Sequence, residues 1–152
     1  SINIDGTLIE NLSDKALDQF RLSNIGFIFQ DFKLYENDTV LRNVLFPMEM
    51  QNNSKKEIKK LRAMDILELV GLKSKTNEMV KNLSGGEKQR VAIARSLINS
   101  PKIILADEPT GSLDSKNSEL IMELLKTISK NALVIIVSHY QELVDKYSNT
   151  IM

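Results

Sequence analysis

Ile103-Ile104-Leu105-Ala106-Asp107-Glu108 and Leu133-Val134-Ile135-Ile136-Val137 are short apolar runs, the first of them ended by two adjacent acids. Continuous apolar runs of this length are what parallel strands covered on both faces require. Between them Leu120, Ile121, Leu124, Leu125 and Ile128 recur at helical spacing,. Strand, helix, strand is the pattern of a βαβ unit, in which the strands are parallel and the crossover is expected to be right-handed. Asp107, Glu108 and the single histidine, His139, are therefore expected beside one another at one edge of a sheet.

Upstream the pattern changes period. From about Thr39 to Asn99 the spacing is helical: Val40, Leu41, Val44 and Leu45 share a face, and Pro47 is expected to kink or end that segment,. Ser54 is expected to open a longer helix with Ile58, Leu61, Leu67 and Val70 inward and Gly71 as its stop,. A further helix is predicted over Gly85 to Ile98. Before this region, Asn24 to Gln30 reads as a buried strand, and Ser13 as the cap of a short helix facing inward with Ala16, Leu17 and Phe20,. Ile2 to Ile4 reads as a strand stub ended by the Asp5-Gly6 turn,. The expected fold is an α/β parallel-sheet core carrying a helical insertion of roughly 60 residues.

Composition bounds the function. With 152 residues and 42% apolar content the chain has the length and the core of one domain,. Basic and acidic residues number 20 each, so the formal net charge is zero. That balance gives no support to a nucleic-acid partner or a general membrane-surface role, both of which favour a basic excess. Without cysteine there are no disulfides and no thiolate metal sites,. The longest strongly apolar run, Ala132 to Val137, is far short of the roughly 20 residues of a membrane span, and Ser1 to Gly6 show no leader-like pattern,.

Three clusters can carry chemistry. Leu83-Ser84-Gly85-Gly86-Glu87-Lys88-Gln89-Arg90 places two glycines at a helix start, where bare backbone amides and the helix dipole favour an anion such as phosphate,. Ser84 and Glu87 also have the spacing of a capping box, which starts a helix with no ligand at all. Asp107 and Glu108 stand at the carboxyl end of a strand, the edge at which open α/β sheets bind ligands. One acid there can hold Mg²⁺, usually through water, and its neighbour can orient or deprotonate a water. Asp114 or Ser112 can simply cap the next helix, and His139 can hydrogen-bond a terminal phosphate.

Taken in order, L-S-G-G-E-K-Q-R, A-D-E-P-T-G-S-L-D and V-S-H resemble the nucleotide-binding domain of ABC transporters over essentially the whole chain. The resemblance implies a P-loop NTPase-like core, residues 1–30 and 101–152, with a helical subdomain at about 31–100. It makes Ser84-Gly85-Gly86, with Glu87, the signature motif, and Ser112-Leu113-Asp114 the D-loop, both contacting nucleotide. It makes Asp107 the Mg²⁺ residue, Glu108 the catalytic glutamate, His139 the switch histidine and Gln30 the Q-loop glutamine, itself near Mg²⁺ through water. The implied cofactors are ATP and Mg²⁺, and the implied partners are a second ATPase subunit, head to tail, and a transmembrane permease that holds the chain at the inner face of the cell membrane. Phe32, Leu34 and Tyr35 are candidates for that permease contact or, equally, for the core. F-Q-D-F-x-L and T-V-L-x-N-V resemble the subfamily of lipoprotein release, macrolide efflux and antimicrobial-peptide export.

The pattern G-x-x-x-x-G-K-[ST], whose amides and lysine cradle phosphates, does not occur in these residues; the glycines before Gln30 are Gly6 and Gly26,. The expectation is an N-terminally truncated domain, inactive alone, with a further strand expected past Met152. The rival reading is a non-transport ABC ATPase of DNA repair, chromosome maintenance or translation. The first two types insert long coiled coils before the signature, for which the segment from Gln30 to Ser84 is too short; the translation type carries two such units per chain.

Overall fold

The computed structural model describes residues 1–51 and 55–150. It opens with a hairpin, β1 (Asn3–Ile4) and β2 (Thr7–Leu8), turned by Asp5 and Gly6 at φ of 50° and 81°. Two consecutive positive φ values give the primed turn that matches strand twist, and Asp-Gly is a pair that adopts it readily. Helix α1 (Asp14–Asn24) follows, with Ser13 extended at the cap position but making no side-chain cap bond. Leu17 and Phe20 are half-buried as expected, whereas Ala16 is exposed.

The sheet is three-stranded and parallel: β3 (Ile25–Ile28), β4 (Ile103–Asp107) and β5 (Leu133–Val137), in that order. Gly26, Ile104 and Val134 share one row and Ile28, Ala106 and Ile136 another. This face meets the helices, with Ile28, Ile104 and Ala106 buried. Coverage of both faces was expected and is not found: Leu133 and Val137 are 59% and 58% exposed, and Phe27 is exposed too. An uninterrupted apolar run is apolar at both parities, so it cannot distinguish one buried face from two.

Helix α4 (Gly85–Leu97) is the hub. Its Val91, Ile93 and Ala94 join the sheet residues, Val40 and Val44 of α2 (Val40–Met50), Ala63, Ile66 and Leu67 of α3 (Lys56–Leu69), and Ile121 and Leu125 of α5 (Ser115–Ile128) in one buried cluster. Helices α2, α3 and α5 each bury one stripe, as amphipathic helices must, whereas α4 buries Val91, Ala92, Ile93 and Ala94 in succession and is covered all round,. A last helix, α6 (Gln141–Tyr147), lays Leu143 and Tyr147 against the cluster.

Three helical expectations are corrected. Pro47 neither ends nor splits α2, which continues to Met50. The carbonyls around it are taken by neighbours, Met48 by Lys59 Nζ at 2.9 Å and Pro47 by Asn99 Nδ2 at 3.5 Å. Ile58 and Leu61 face outward, 55% and 66% exposed, while Ala63 and Ile66 join Leu67 and Val70 inside. Leu120 on α5 is likewise exposed. Ser54 lies outside the described residues; Lys55 holds the N-cap position of α3, and Gly71, at φ 72°, follows its end as predicted.

Candidate functional site at the strand tips

The parallel register puts Asp107 opposite Val137, so the chain leaves β4 and β5 at the same edge. Glu108 adopts φ 44°, a left-handed conformation that costs a non-glycine residue on the order of 1 kcal/mol,. Its amide donates to the Val137 carbonyl at 2.9 Å, and its own carbonyl accepts the Gly111 amide at 3.1 Å. Glu108 Oε1 accepts the His139 backbone amide at 2.8 Å and lies 3.6 Å from His139 Nε2, and Ser138 Oγ donates to Oε2 at 3.4 Å. The Glu108 side chain is 12% exposed and that of His139 93%, so a sheltered carboxylate sits beside an imidazole open to a ligand.

Gln30, two residues past β3, reaches the same place. A Cβ built on Gly111 would lie 3.0 Å from Gln30 Nε2 and 3.5 Å from Glu108 Cβ. Gly111 thus leaves room for Gln30 to approach Glu108. Asp107, exposed at the end of β4, has no hydrogen-bond or ion-pair partner among the described residues, and neither acid has a lysine or arginine against it. Two neighbouring carboxylates with no cation, one of them free and facing water, form a hard-oxygen donor set that suits Mg²⁺. No group of three or more His, Cys, Asp or Glu able to hold a metal exists among the described residues, so the fit is to an ion shared with waters and a phosphate ligand,.

The glycine-rich helix start lies elsewhere, against the N-terminus of α5. Ser84 and Glu87 form a full capping box: the Glu87 amide donates to Ser84 Oγ at 3.4 Å and the Ser84 amide to Glu87 Oε2 at 3.0 Å. Lys75 Nζ takes the other carboxylate oxygen at 2.5 Å. Gly86 is pressed against Asn117, whose Oδ1 would lie 2.5 Å from an added Cβ, whereas Gly85 is exposed and meets only Leu113. Asp114 caps α5, accepting the Asn117 amide at 3.0 Å and Asn117 Nδ2 at 2.6 Å. Among the described residues no hydrogen bond joins Ser84, Gly85, Gly86, Glu87 or Asp114 to Glu108 or His139.

The Lys75 ammonium, helped by the Ser84 amide, holds the Glu87 carboxyl below its ordinary value of 4.5 against partial burial. As pH falls the unfolded chain takes up this proton first, so Glu87 stabilises the fold above its unfolded value and ceases to as pH drops through the folded one. Between about pH 6 and pH 3.5 the urea midpoint of the native chain is expected to fall more steeply than that of Glu87→Gln. Parallel curves would remove the Lys75–Glu87 pair from that role.

Ser138, Gly111 and Asn117 were not anticipated. Asn117 stands three residues after Asp114, a capping spacing visible in the sequence; the positions of Ser138 and Gly111 depend on side-chain approach across the sheet edge, which local pattern does not encode.

A family model described as ABC transporter matches residues 1–111. The lipoprotein-releasing system ATP-binding protein LolD of Bacteroides fragilis is 50% identical over 123 residues, 81% of this chain and 56% of LolD. The methionine import ATP-binding protein MetN of Lactobacillus acidophilus is 42% identical over 157 residues, 99% of this chain and 44% of MetN. Among solved structures, the dimeric post-hydrolysis state of the ATP-binding cassette MJ0796 bound to ADP and Pi superposes with a TM-score of 0.79 at 40% identity, covering 92% of this chain and 62% of that one. This chain spans about half the length of the curated relatives it matches.

Proposed function

This chain belongs to the ABC transporter family, and on that premise we propose that the protein it forms part of hydrolyses ATP to drive a transporter. The observation that supports this best is the convergence of Glu108, His139 and Gln30 at the carboxyl edge of the parallel sheet. In this reading the Glu108 carboxylate orients the attacking water and accepts its proton, while His139 Nε2, open to solvent, hydrogen-bonds the terminal phosphate. Asp107 and, through water, Gln30 would hold Mg²⁺, which neutralises phosphate oxygens when bound with the nucleotide. Residues 1–30 and 101–152 form the α/β core of the proposed domain and about 31–100 its helical subdomain.

We assign the second part of the site to another copy. The start of α4 shares no hydrogen bond with Glu108 among the described residues and offers a bare amide at Gly85, with Glu87 and Asp114 shaping the two helix starts through their caps. A glycine-rich helix start supplies donors for a phosphate held by a head-to-tail partner. MJ0796 is described as dimeric with ADP and Pi, which supports the arrangement. The permease partner is proposed to seat on a groove of about 840 Å³ lined by Phe29, Lys33, Tyr35, Phe46, Met50 and Arg95, where the tilted rings of Tyr35 and Phe46 lie 5.0 Å apart. Of the residues after Gln30, Tyr35 lines this groove, while Leu34 packs against the core. Among the described residues no helix is long and apolar enough to cross a membrane, so membrane attachment is assigned to that partner. Release or export of lipoproteins, peptides or drugs is our narrower reading, and the 50% identity with LolD over 123 residues supports its lipoprotein branch.

Mixing tests the shared site. Gly85→Asp adds a carboxylate where a side chain meets only Leu113 at 3.6 Å, so it repels phosphate without disturbing packing. In the full-length protein Gly85→Asp and Glu108→Gln are each expected to be inactive. Their equal mixture should recover about a quarter of native turnover, since half the dimers would keep one intact site of two. A mixture as inactive as its parts would sink the head-to-tail arrangement.

A further inference from the structure

We propose that Gln89 is a positioning residue for hydrolysis: from α4 its amide grips the Pro109 carbonyl and so holds the turn on which Glu108 is mounted. The inference rests on the reading of Glu108 as the hydrolytic carboxylate.

Gln89 is completely buried, and its Nε2 donates to Pro109 O at 2.7 Å. Only an NH₂ group can face a carbonyl, so the orientation of the amide is fixed by its partner. The opposite atom, Oε1, is buried with no hydrogen-bond partner among the described residues. An unpartnered buried carbonyl destabilises the fold, whereas methionine or leucine would fill the same space without that cost. A glutamine here is thus poorly explained by packing, and the donor is what distinguishes it from an apolar residue.

The gripped carbonyl belongs to the residue directly after Glu108. Glu108 is held at φ 44°, a conformation it would leave if the turn were free to relax,. Relaxing it rotates the peptide to Pro109, and that moves the Pro109 carbonyl. The turn is held on one side by the Glu108 amide on Val137 O and is closed on itself by the Gly111 amide on Glu108 O. Gln89 supplies the hold from the other side, out of a helix wedged between sheet and helical segment. The same helix anchors the segment after Gln30, because Arg95 Nη2 donates to Phe32 O at 2.8 Å. One rod therefore fixes the backbone after both Gln30 and Glu108, and its N-terminal end is the Ser84 cap. Displacement of that end shifts the carboxylate, and misplacement by about 1 Å costs on the order of 10²-fold in rate.

The test uses the full-length protein with Gln89→Met, which keeps volume and removes the donor, and Gln89→Asn, which keeps the amide but withdraws it by one methylene. Steady-state ATP hydrolysis, ATP affinity and amide hydrogen exchange are measured on each. The expected result is a fall in kcat of about 10-fold or more with KM and ATP affinity within about twofold. The Gly111 and His139 amides should exchange about 10-fold faster while those inside α4 keep their protection. If Gln89→Met does not fold, Gln89→Asn decides. A folded variant with native kcat overturns the inference, as does a loss of kcat matched by an equal loss of ATP affinity or by general loss of protection, which marks a merely structural residue. Glu108→Gln run alongside separates the two levels: native turnover in that variant refutes the parent reading, whereas its inactivity together with unaffected Gln89 variants refutes this inference alone.

Discussion

Glu108→Gln in the full-length protein is expected to hydrolyse ATP at least ~10²-fold more slowly than the native enzyme while binding nucleotide as tightly. The substitution is almost isosteric and the contacts survive it. The amide oxygen can accept the His139 backbone amide where Oε1 does at 2.8 Å, and the new NH₂ can donate to Ser138 Oγ, now 3.4 Å from Oε2. Thus the turn and the histidine stay in place. What disappears is a basic lone pair and one negative charge beside Asp107. A loss of 10²-fold corresponds to about 2.7 kcal/mol of transition-state stabilisation, within the range attributed to one positioned general base. Single-turnover hydrolysis and nucleotide titration separate chemistry from binding, and a variant turning over at native speed would remove Glu108 from the role of base.

The geometry behind that expectation was largely readable from residue order. Two apolar runs joined by one helical stripe are expected to be parallel, and the parallel pairing of β4 with β5 brings Glu108 to His139,. The capping box at Ser84 and Glu87 was legible for the same reason, since both partners lie within one turn. What stayed hidden was long-range. Nothing local tells that Ile58 and Leu61 face water while Ala63 and Ile66 are inside, because α3 carries two apolar stripes and alanine is too small to mark the buried one. Pro47 was read as a kink or end of its segment, yet α2 runs on to Met50, and the Pro47 and Met48 carbonyls of its last turn find donors in Asn99 and Lys59, outside the helix. Gln89 was given no role of its own within Leu83–Arg90; the partner of its buried amide is a turn 20 positions away in the chain.

Gly26→Ala is expected to destabilise the chain by about 3 kcal/mol, a large effect for a single methyl group. Gly26 was weighed in the sequence as part of a buried strand and as a glycine that opens no phosphate loop, yet it is a point of close approach between sheet and hub helix. An added Cβ would lie 2.6 Å from the Ser96 carbonyl oxygen and 3.2 Å from both Ile104 Cδ1 and Pro101 Cγ. The first of these is backbone in the last turn of α4, which no rotamer change can relieve. That turn is also tied down: Arg62 bonds the Ile98 carbonyl, and Asn99 Nδ2 donates to Leu22 O at 3.0 Å. Relief therefore requires α4 to lift off β3 as a body, opening the cluster around Val91, Ile93 and Ile104. Urea unfolding measures the loss directly, and Gly26→Val should be worse than Gly26→Ala because its γ carbons add further contacts. An alanine variant within 1 kcal/mol of the native chain would mean that α4 can yield at Ser96; a helix that yields there could not hold Pro109 and Phe32 in register.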